Sequence, residues 1–294
     1  MRVMVTGANG QLGKCLQDVI AGLDHELIAV GRNELDITNA SLVKRFVDAQ
    51  TPDVIINAAA YTAVDRAEEE VELAFKVNAQ AVGNLAEASN AAGAVLIHVS
   101  TDYVFDGSSR TPYKETDSVN PVGAYGESKL EGEREAAQAQ RHIIVRTAWV
   151  FSEYGSNFLK TMVKLGLRRQ SLSIVDDQIG TPTYAGDLAS ALVCLALNRP
   201  ANGVYHFCGG DSCSWYDFAG AIFDTCGEIS SKYAVPSISP IPSAEYPTPA
   251  RRPEYSVLDG SLLVSKAGIR GGDWRVSLRD VCTKVLAELD DSQA

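Results

Sequence analysis

Short apolar runs alternate with stretches of helical periodicity through the first half of the 294-residue chain. The apolar runs cover residues 2–6, 26–30, 53–57, 95–99 and 143–147. Apolar residues recur at helical spacing between residues 12 and 23 and in the stretches 41–49, 66–92 and 127–139. Runs rich in Val and Ile that alternate with helices are typical of a parallel sheet covered on both faces. The pattern therefore predicts an α/β fold.

The second half of the chain also alternates but has a different character. We expect strands at 172–175 and 204–207, and helices near 156–169, 184–197, 214–226 and 274–289. Six prolines between Pro236 and Pro253 predict an irregular surface segment, because prolines at this density interrupt a helix. These late segments are expected to form a small lobe over the edge of the sheet where ligands bind.

Three glycines follow the first strand at a regular spacing. Gly7, Gly10 and Gly13 form a G-x-x-G-x-x-G sequence between that strand and a helix. In dinucleotide-binding folds the first glycine permits a tight turn, the second lets the backbone approach the pyrophosphate, and the third allows close helix packing. The helix N-terminus then offers free N–H groups to the anion. The motif predicts a Rossmann-type doubly wound parallel sheet with a smaller C-terminal substrate-binding lobe.

The domain organisation follows from these two patterns. Residues 1–152 are predicted to form a dinucleotide-binding Rossmann domain, completed by strands from later segments. Residues 153–294 are predicted to form mainly the substrate-binding lobe, interleaved with the first domain.

Arg32 follows the second predicted strand, where an acidic residue would bind ribose hydroxyls and favour NAD. A guanidinium at this point can pair with a 2′-phosphate, so NADPH is the expected cofactor and NADH is possible. An ordinary surface arginine is the alternative interpretation.

The charge of the chain limits its partners. Lys and Arg number 26 against 37 Asp and Glu, so the net charge is −11 and the pI is about 4.9. This balance argues against nucleic-acid binding and against an anionic membrane surface. No apolar run approaches the roughly 18 residues of a membrane helix, and the N-terminal apolar stretch is a strand rather than a signal peptide. We therefore expect a cytoplasmic protein without nucleic-acid or membrane partners.

The cysteines and histidines do not indicate a metal site. The six cysteines are scattered, with no C-x-x-C pair and no Cys/His spacing typical of zinc. Reduced thiols are the expected state, and core or surface roles are expected for the four histidines.

Tyr125 and Lys129 form a Y-x-x-x-K pair whose side chains would share one face of a helix. The ammonium charge is expected to favour phenolate and to lower the pKa of Tyr125 below its usual value of about 10. Upstream, a predicted strand ends in Ser100 and Thr101, and a hydroxyl there could hold a substrate oxygen during proton transfer. Alone, the Y-x-x-x-K pair is weak evidence for a proton-transfer site, but the glycine motif at the N-terminus makes this interpretation stronger.

Seven segments together resemble the extended short-chain dehydrogenase/reductase superfamily and, within it, the dTDP-4-dehydrorhamnose reductases. They cover residues 6–13, 53–60, 61–65, 100–105, 125–129, 146–151 and 247–253. The glycine and Y-x-x-x-K motifs mark only the superfamily, whereas STDYVFDG, RTAWVF and PTPARRP are more specific. The resemblance implies NAD(P)H-dependent reduction of the 4-keto group of dTDP-4-dehydro-L-rhamnose, a nucleotide sugar, in carbohydrate biosynthesis for cell-surface polysaccharide.

The same resemblance implies roles for individual residues. Tyr125 would protonate the alkoxide, Lys129 would bind the nicotinamide ribose, and Thr101 would hold the ketone oxygen. The cofactor would contact Gly7, Asn9, Gly10, Gln11, Leu12, Gly13, Arg32, Asp36, Ile37, Ala58, Ala59, Ala60, Tyr61, Val99, Tyr125 and Lys129, with Asp36 and Ile37 at the adenine. The substrate would contact Thr62, Val64, Thr101, Asp102, Tyr103, Trp149, Arg251 and Arg252. A core role for Trp149 and a solvated role for the two arginines remain alternatives.

Some members of this family carry a metal-binding glutamate at a dimer contact shortly after the third glycine. This chain differs from them at that position. This chain has Cys15 there, a poor ligand for Mg²⁺, and the helix after residue 183 offers Asp187 but no glutamate. No metal is therefore predicted, and a homodimer stays possible.

Three other functions share parts of this sequence pattern. A 4,6-dehydratase would carry Asp-Glu after the Thr, but Tyr103 follows Asp102 here. A nucleotide-sugar 4-epimerase would keep its NAD bound and need no added reductant. A non-catalytic NADP-binding regulatory subunit would not need the complete set of Thr101, Tyr125 and Lys129.

Overall fold

The computed structural model describes residues 1–291 and the side chains of residues 1–289. Its longer strands are β1 (Arg2–Thr6), β2 (Glu26–Val30), β3 (Val54–Asn57), β4 (Val95–Thr101) and β5 (His142–Thr147). The later strands are β6 (Val150–Phe151), β7 (Ser171–Val175), β8 (Ile179–Gly180), β9 (Thr183–Tyr184), β10 (Gly203–His206), β11 (Cys213–Ser214) and β12 (Ser237–Ile241).

The helices connect and cover these strands. They are α1 (Gln11–Ala21), α2 (Ala40–Gln50), α3 (Val64–Ala67), α4 (Val71–Phe75), α5 (Ala81–Ala92), α6 (Ala124–Ala136), α7 (Phe158–Gly166), α8 (Ala185–Asn198), α9 (Trp215–Ile229), α10 (Ser261–Ala267) and α11 (Trp274–Asp291). Short 3₁₀ turns cover Asp102–Val104 and Ser243–Glu245, and a π-helical segment covers Lys76–Gln80. No helix within residues 1–291 combines the length and apolarity needed to cross a bilayer.

Six parallel strands form the central sheet in the order β10-β5-β4-β3-β1-β2. The strand order reverses at β1, which lies between β2 and β3, so the crevice where ligands bind in such sheets opens at the carboxyl ends of β1 and β3. Helices α1 and α8 cover one face, packing against Val3, Val5 and Ile56. Helices α2 and α5 cover the other, packing against Met4 and Ile55. The predicted α/β, Rossmann-type fold is confirmed.

A second apolar core lies in the C-terminal half. It joins α7, α9 and α11 through buried aromatic and aliphatic residues that include Phe151, Leu159, Phe218 and Trp274. Helix α9 starts at a complete capping box, in which Ser214 and Asp217 satisfy each other's backbone N–H groups. The smaller lobe thus has a core of its own, although β10 and α8 from the same half belong to the central sheet layer.

Two predicted elements were wrong in detail. The helical stretch at 66–92 is divided into α3, α4, the π-helical segment and α5. The segment after Pro236, expected to be irregular, contains β12, which pairs in parallel with β7. Pro240 is tolerated there because the two-stranded sheet leaves β12 an unpaired edge. Helix α10 had no counterpart in the sequence prediction.

Candidate active site

A cleft of about 1020 Å³ opens between the carboxyl ends of the sheet strands and the second lobe. Its walls come from the glycine turn, the segment after β3, the end of β4, helix α6 and the residues after β5. The second lobe contributes parts of α7, β7 and the start of α9. Lining residues from the sequence prediction are Gly10, Gln11, Leu12, Ala58, Ala60, Thr62, Val64, Val99, Thr101, Asp102, Tyr103, Tyr125, Lys129, Trp149 and Arg252.

The glycine turn has the geometry of an anion cradle. Gly7 adopts φ +69°, and a Cβ placed on it would lie 2.6 Å from the backbone N of Ala59. A Cβ on Gly13 would lie 2.2 Å from the carbonyl oxygen of Gly7. Gly10 caps α1 without any side-chain hydrogen bond, so the first N–H groups of the helix point toward the cleft unsatisfied by a cap. These residues fit a pyrophosphate at the helix N-terminus.

The outer end of this cradle carries the residues predicted at the adenosine. Arg32 is exposed after β2, and Asp36 is half-buried. Hydrogen bonds from Thr38 and, more weakly, the charge of Arg32 lower the pKa of Asp36. Ile37 is buried and its carbonyl accepts from Asn84 at 2.9 Å. The predicted residues outside the cleft lining are Gly7, Asn9, Gly13, Arg32, Asp36, Ile37, Ala59, Tyr61 and Arg251.

Thr101 ends β4 and faces α6, the helix that carries Tyr125 and Lys129. Its hydroxyl donates to Asp102 Oδ1 at 2.9 Å and accepts from the Tyr103 backbone N–H at 3.2 Å. The Tyr125 phenol interacts with the same hydroxyl, and its ring packs edge-on against Tyr103 with centroids 5.5 Å apart. Burial raises the pKa of Asp102 to about 6, against the lowering effect of its hydrogen bonds. Thr101 and Tyr125 therefore meet at one point of the cleft.

The expected lowering of the Tyr125 pKa was wrong. Burial raises the pKa of Tyr125 to about 12, and the hydrogen bond with Thr101 opposes this only in part. The Lys129 ammonium lies on the same helix face, but it donates to the backbone carbonyl of Val99 at 2.6 Å. The phenol is thus held in its protonated form, which is the form that can donate a proton.

Lys129 is itself perturbed by its surroundings. Its side chain is buried, and loss of hydration lowers the pKa of the amine to about 8, although the nearby Glu133 carboxylate raises it. A lysine in this condition changes its charge close to neutral pH.

The predicted substrate residues surround Thr101 from several elements. Thr62 and Val64 come from the segment after β3, while Trp149 follows β5. Arg252 reaches the cleft from the proline-rich segment and pairs with Asp65 at 2.8 Å. Arg251, in contrast, is exposed and does not line the cleft.

Sequence reasoning predicted a second lobe over the ligand edge of the sheet but did not identify which residues of that lobe line the cleft. The additional lining residues include Phe158, Met162, Leu165, Leu172, Ile174, Gln178, Trp215 and Tyr246. The spacing of Phe158, Met162 and Leu165 predicted a helix with one apolar face. The same spacing occurs whether that face packs in the core or lines a cleft. No sequence signal distinguished these residues from ordinary core positions.

The position of Cys15 does not fit a magnesium ligand. The thiol is buried, and burial is the main cause that raises its pKa to about 12, so it carries no charge at neutral pH. The nearby Glu153 carboxylate is engaged by Lys284 at 2.5 Å. Among the side chains of residues 1–289, no group of three or more His, Cys, Asp and Glu residues is arranged to hold a metal ion.

The chain is similar to known proteins over nearly its whole length. The family model described as "RmlD substrate binding domain" matches residues 1–287. A dTDP-4-dehydrorhamnose reductase from Aggregatibacter actinomycetemcomitans is 46% identical, over 95% of this chain and 98% of the relative. The crystal structure of a dTDP-4-dehydrorhamnose reductase from Clostridium acetobutylicum superposes with a TM-score of 0.91, at 41% identity and with both chains fully covered.

A second solved structure bears on the cofactor. The dTDP-4-dehydrorhamnose reductase from Bacillus anthracis, in complex with NADP, has a TM-score of 0.90 at 38% identity and covers 95% of this chain and 98% of its own. The match of sequence, length and fold leads to one assignment: the chain belongs to the RmlD substrate binding domain family.

Proposed function

We propose that the protein reduces the 4-keto group of dTDP-4-dehydro-L-rhamnose with NADPH and forms dTDP-L-rhamnose. The observation that carries this proposal is the meeting of Thr101 and a protonated Tyr125 in the cleft that Gly10 of the glycine turn also lines. The names of the full-length relatives and the NADP complex of the Bacillus anthracis enzyme support the substrate and the cofactor.

The residues of the cleft divide the reaction between them. NADPH, when bound, supplies the hydride. The Thr101 hydroxyl binds the ketone oxygen, and Tyr125 donates its phenolic proton to that oxygen as negative charge develops. Lys129 binds the ribose of the cofactor and places a positive charge beside the phenolate that remains. Arg252 helps to neutralise the substrate diphosphate while Asp65 fixes its orientation.

The proposed substrate must also be distinguished from those of related enzymes. Dehydration would need a second acid after Asp102, but Tyr103 stands there and burial raises the pKa of its phenol. An epimerase would leave added NADPH unconsumed. Purified protein that oxidises one NADPH for each dTDP-4-keto sugar reduced would support the reductase, and conversion without NADPH oxidation would contradict it.

Replacement of Tyr125 by Phe tests the proton donor. The rate of turnover should fall by roughly 10² to 10⁴, the usual contribution of general acid catalysis, with NADPH affinity retained. Tyr154→Phe is the matched control, because its hydroxyl donates to Asp18 at 2.8 Å away from the cleft and its loss should leave turnover unchanged. An unaffected Tyr125→Phe variant would eliminate Tyr125 as the donor and would favour a non-catalytic, NADP-binding role.

We further propose that the enzyme acts in the cytoplasm, where its six free cysteines would remain reduced. A homodimer stays a prediction, and sedimentation of the purified protein with and without EDTA would test both the dimer and its independence of metal.

A further inference from the structure

Two tryptophans face each other inside the cleft, although sequence reasoning pointed to only one of them. Trp149 follows β5, and Trp215 is the first residue of α9. Their rings are stacked at 3.4 Å between centroids and are inclined by 6°. Both are half-buried and both line the cavity. The pair therefore forms one aromatic surface shared by the two lobes.

The backbone holds Trp149 in an unusual conformation. Its φ is +46°, one of three positive values at non-glycine residues within residues 1–291. A bulky residue adopts this region only when its surroundings impose it. The indole packs closely on Gly180, and a Cβ there would lie 2.3 Å from Cε2 of Trp149, so the ring fits only because residue 180 is glycine. The position of this indole is thus fixed at some cost in free energy.

The position of Trp215 is fixed by hydrogen bonds. Its indole N–H donates to Gln178 Oε1 at 3.2 Å, and Gln178 Nε2 donates to the Ser243 hydroxyl at 2.8 Å. Gln178 is itself buried. The capping box of Ser214 fixes the backbone immediately before Trp215. The Gln178 amide thus holds the Trp215 ring in one orientation in the cavity wall.

We propose that Trp149 and Trp215 act as a preformed wall that binds the nucleotide-sugar substrate, with Trp215 as a substrate-binding residue and Gln178 as a positioning residue. The proposal rests on the proposed function. Phe158 packs against Trp215 with ring centroids 4.5 Å apart, and all three aromatic rings line the cavity. Aromatic side chains in a cavity wall suit contact with a sugar ring or a pyrimidine base. Because the rings are ordered before binding, less conformational entropy is lost when the substrate arrives.

Steady-state kinetics with NADPH and dTDP-4-dehydro-L-rhamnose test this wall. Trp215→Leu should raise the KM for the sugar by about tenfold or more, with kcat within about threefold and the Kd of NADPH unchanged. Gln178→Leu should raise KM in the same direction to a smaller extent.

Circular dichroism provides an independent readout of ring geometry. Closely stacked indoles couple their transitions, so the wild type should show an exciton couplet that Trp215→Leu abolishes and Gln178→Leu weakens. Trp274→Phe is the matched control, since Trp274 is buried in the second-lobe core and does not line the cleft. This variant should keep both the couplet and the KM.

The possible results distinguish a failure of the proposed wall from a failure of the proposed function. Wild-type protein that does not oxidise NADPH with this sugar would refute the proposed function, and the wall with it. An active wild type whose KM is unchanged in Trp215→Leu would refute the wall alone. Should Trp215→Leu fail to fold, an unchanged KM in folded Gln178→Leu whose couplet is weakened would refute the wall equally.

Discussion

The Glu133 carboxylate and the Arg146 guanidinium form a two-point ion pair inside the protein. Arg146 Nε lies 2.8 Å from Oε1 and Nη2 lies 2.7 Å from Oε2, and both side chains are nearly inaccessible to solvent. The Ser100 hydroxyl also donates to Oε1, at 2.6 Å. One carboxylate on α6 thereby connects that helix to the ends of β4 and β5. It fixes the position of that helix relative to Thr101.

Replacement of Glu133 by Gln should therefore destabilise the protein strongly. Loss of one partner leaves Arg146 buried without a counter-charge, which costs about 3–5 kcal/mol in such pairs. Denaturant unfolding measures the free-energy change. Glu131→Gln on the same helix is the control, because Glu131 pairs with Arg134 at the surface and such pairs contribute about 0–1 kcal/mol. Equal stability of the two variants would contradict the structural role of Glu133.

The rate should depend on pH through two buried groups. The Thr101 hydroxyl donates to Asp102 at 2.9 Å, and Asp102, with a pKa of about 6, stops competing for that proton once it is protonated. The hydroxyl is then free to donate to the ketone oxygen, so kcat/KM should rise as the pH drops below about 6. Lys129, with a pKa of about 8, loses its charge at higher pH, so kcat/KM should fall above about 8. Asp102→Asn should lose the acidic limb and keep the basic one. An acidic limb that persists in this variant would exclude Asp102 as its source.

Addition of a single methyl group at Gly13 should disrupt the coenzyme cradle. The new Cβ would lie 2.2 Å from the Gly7 carbonyl oxygen and 2.7 Å from the Cα of Ala8, both parts of the backbone. Gly13→Ala should lower stability by about 1–3 kcal/mol and weaken NADPH binding. Gly22→Ala, where the nearest atom lies 3.6 Å away, is the control and should leave both properties unchanged. NADPH titration by fluorescence and thermal unfolding would measure the two effects.

Arg32 should set the preference between the two coenzymes. It is exposed beyond β2, so its replacement does not disturb the core. Arg32→Gln should reduce kcat/KM with NADPH by roughly tenfold to a hundredfold, the effect of losing a charge-assisted hydrogen bond, and should leave NADH almost unaffected. Arg45→Gln removes an equally charged residue from the exposed face of α2 and serves as the control. A parallel loss with both coenzymes would place Arg32 away from the 2′-phosphate.

Much of the sheet layer was predictable from the sequence because its signals are local. A strand rich in Val and Ile, three glycines and a helical pair at four-residue spacing occupy neighbouring positions in the chain. The end of β4 at Thr101 followed from the same alternation. The family resemblance then supplied the assignment of individual residues, such as Asp102 and Trp149, that periodicity alone could not provide.

The remaining features depend on contacts between distant segments. The pKa of Tyr125 is governed by burial, and burial depends on residues from several elements that the Y-x-x-x-K spacing does not reveal. Trp215 and Gln178 reach the cleft only because the second lobe folds over the sheet. Strand β12 was not predicted, because Pro240 indicates irregular structure despite the apolar residues beside it. The observed pairing with β7 nevertheless tolerates that proline.

The sixth strand of the sheet has a consequence for synthesis on the ribosome. Strand β10 lies at the edge beside β5, although about sixty residues separate the two in the chain. Until residue 206 has emerged, the outer side of β5 has no partner and presents free N–H and C=O groups. The nascent protein therefore passes through a stage in which the exposed edge of β5 can associate with other chains. Chaperones that shield exposed strands would act at that stage.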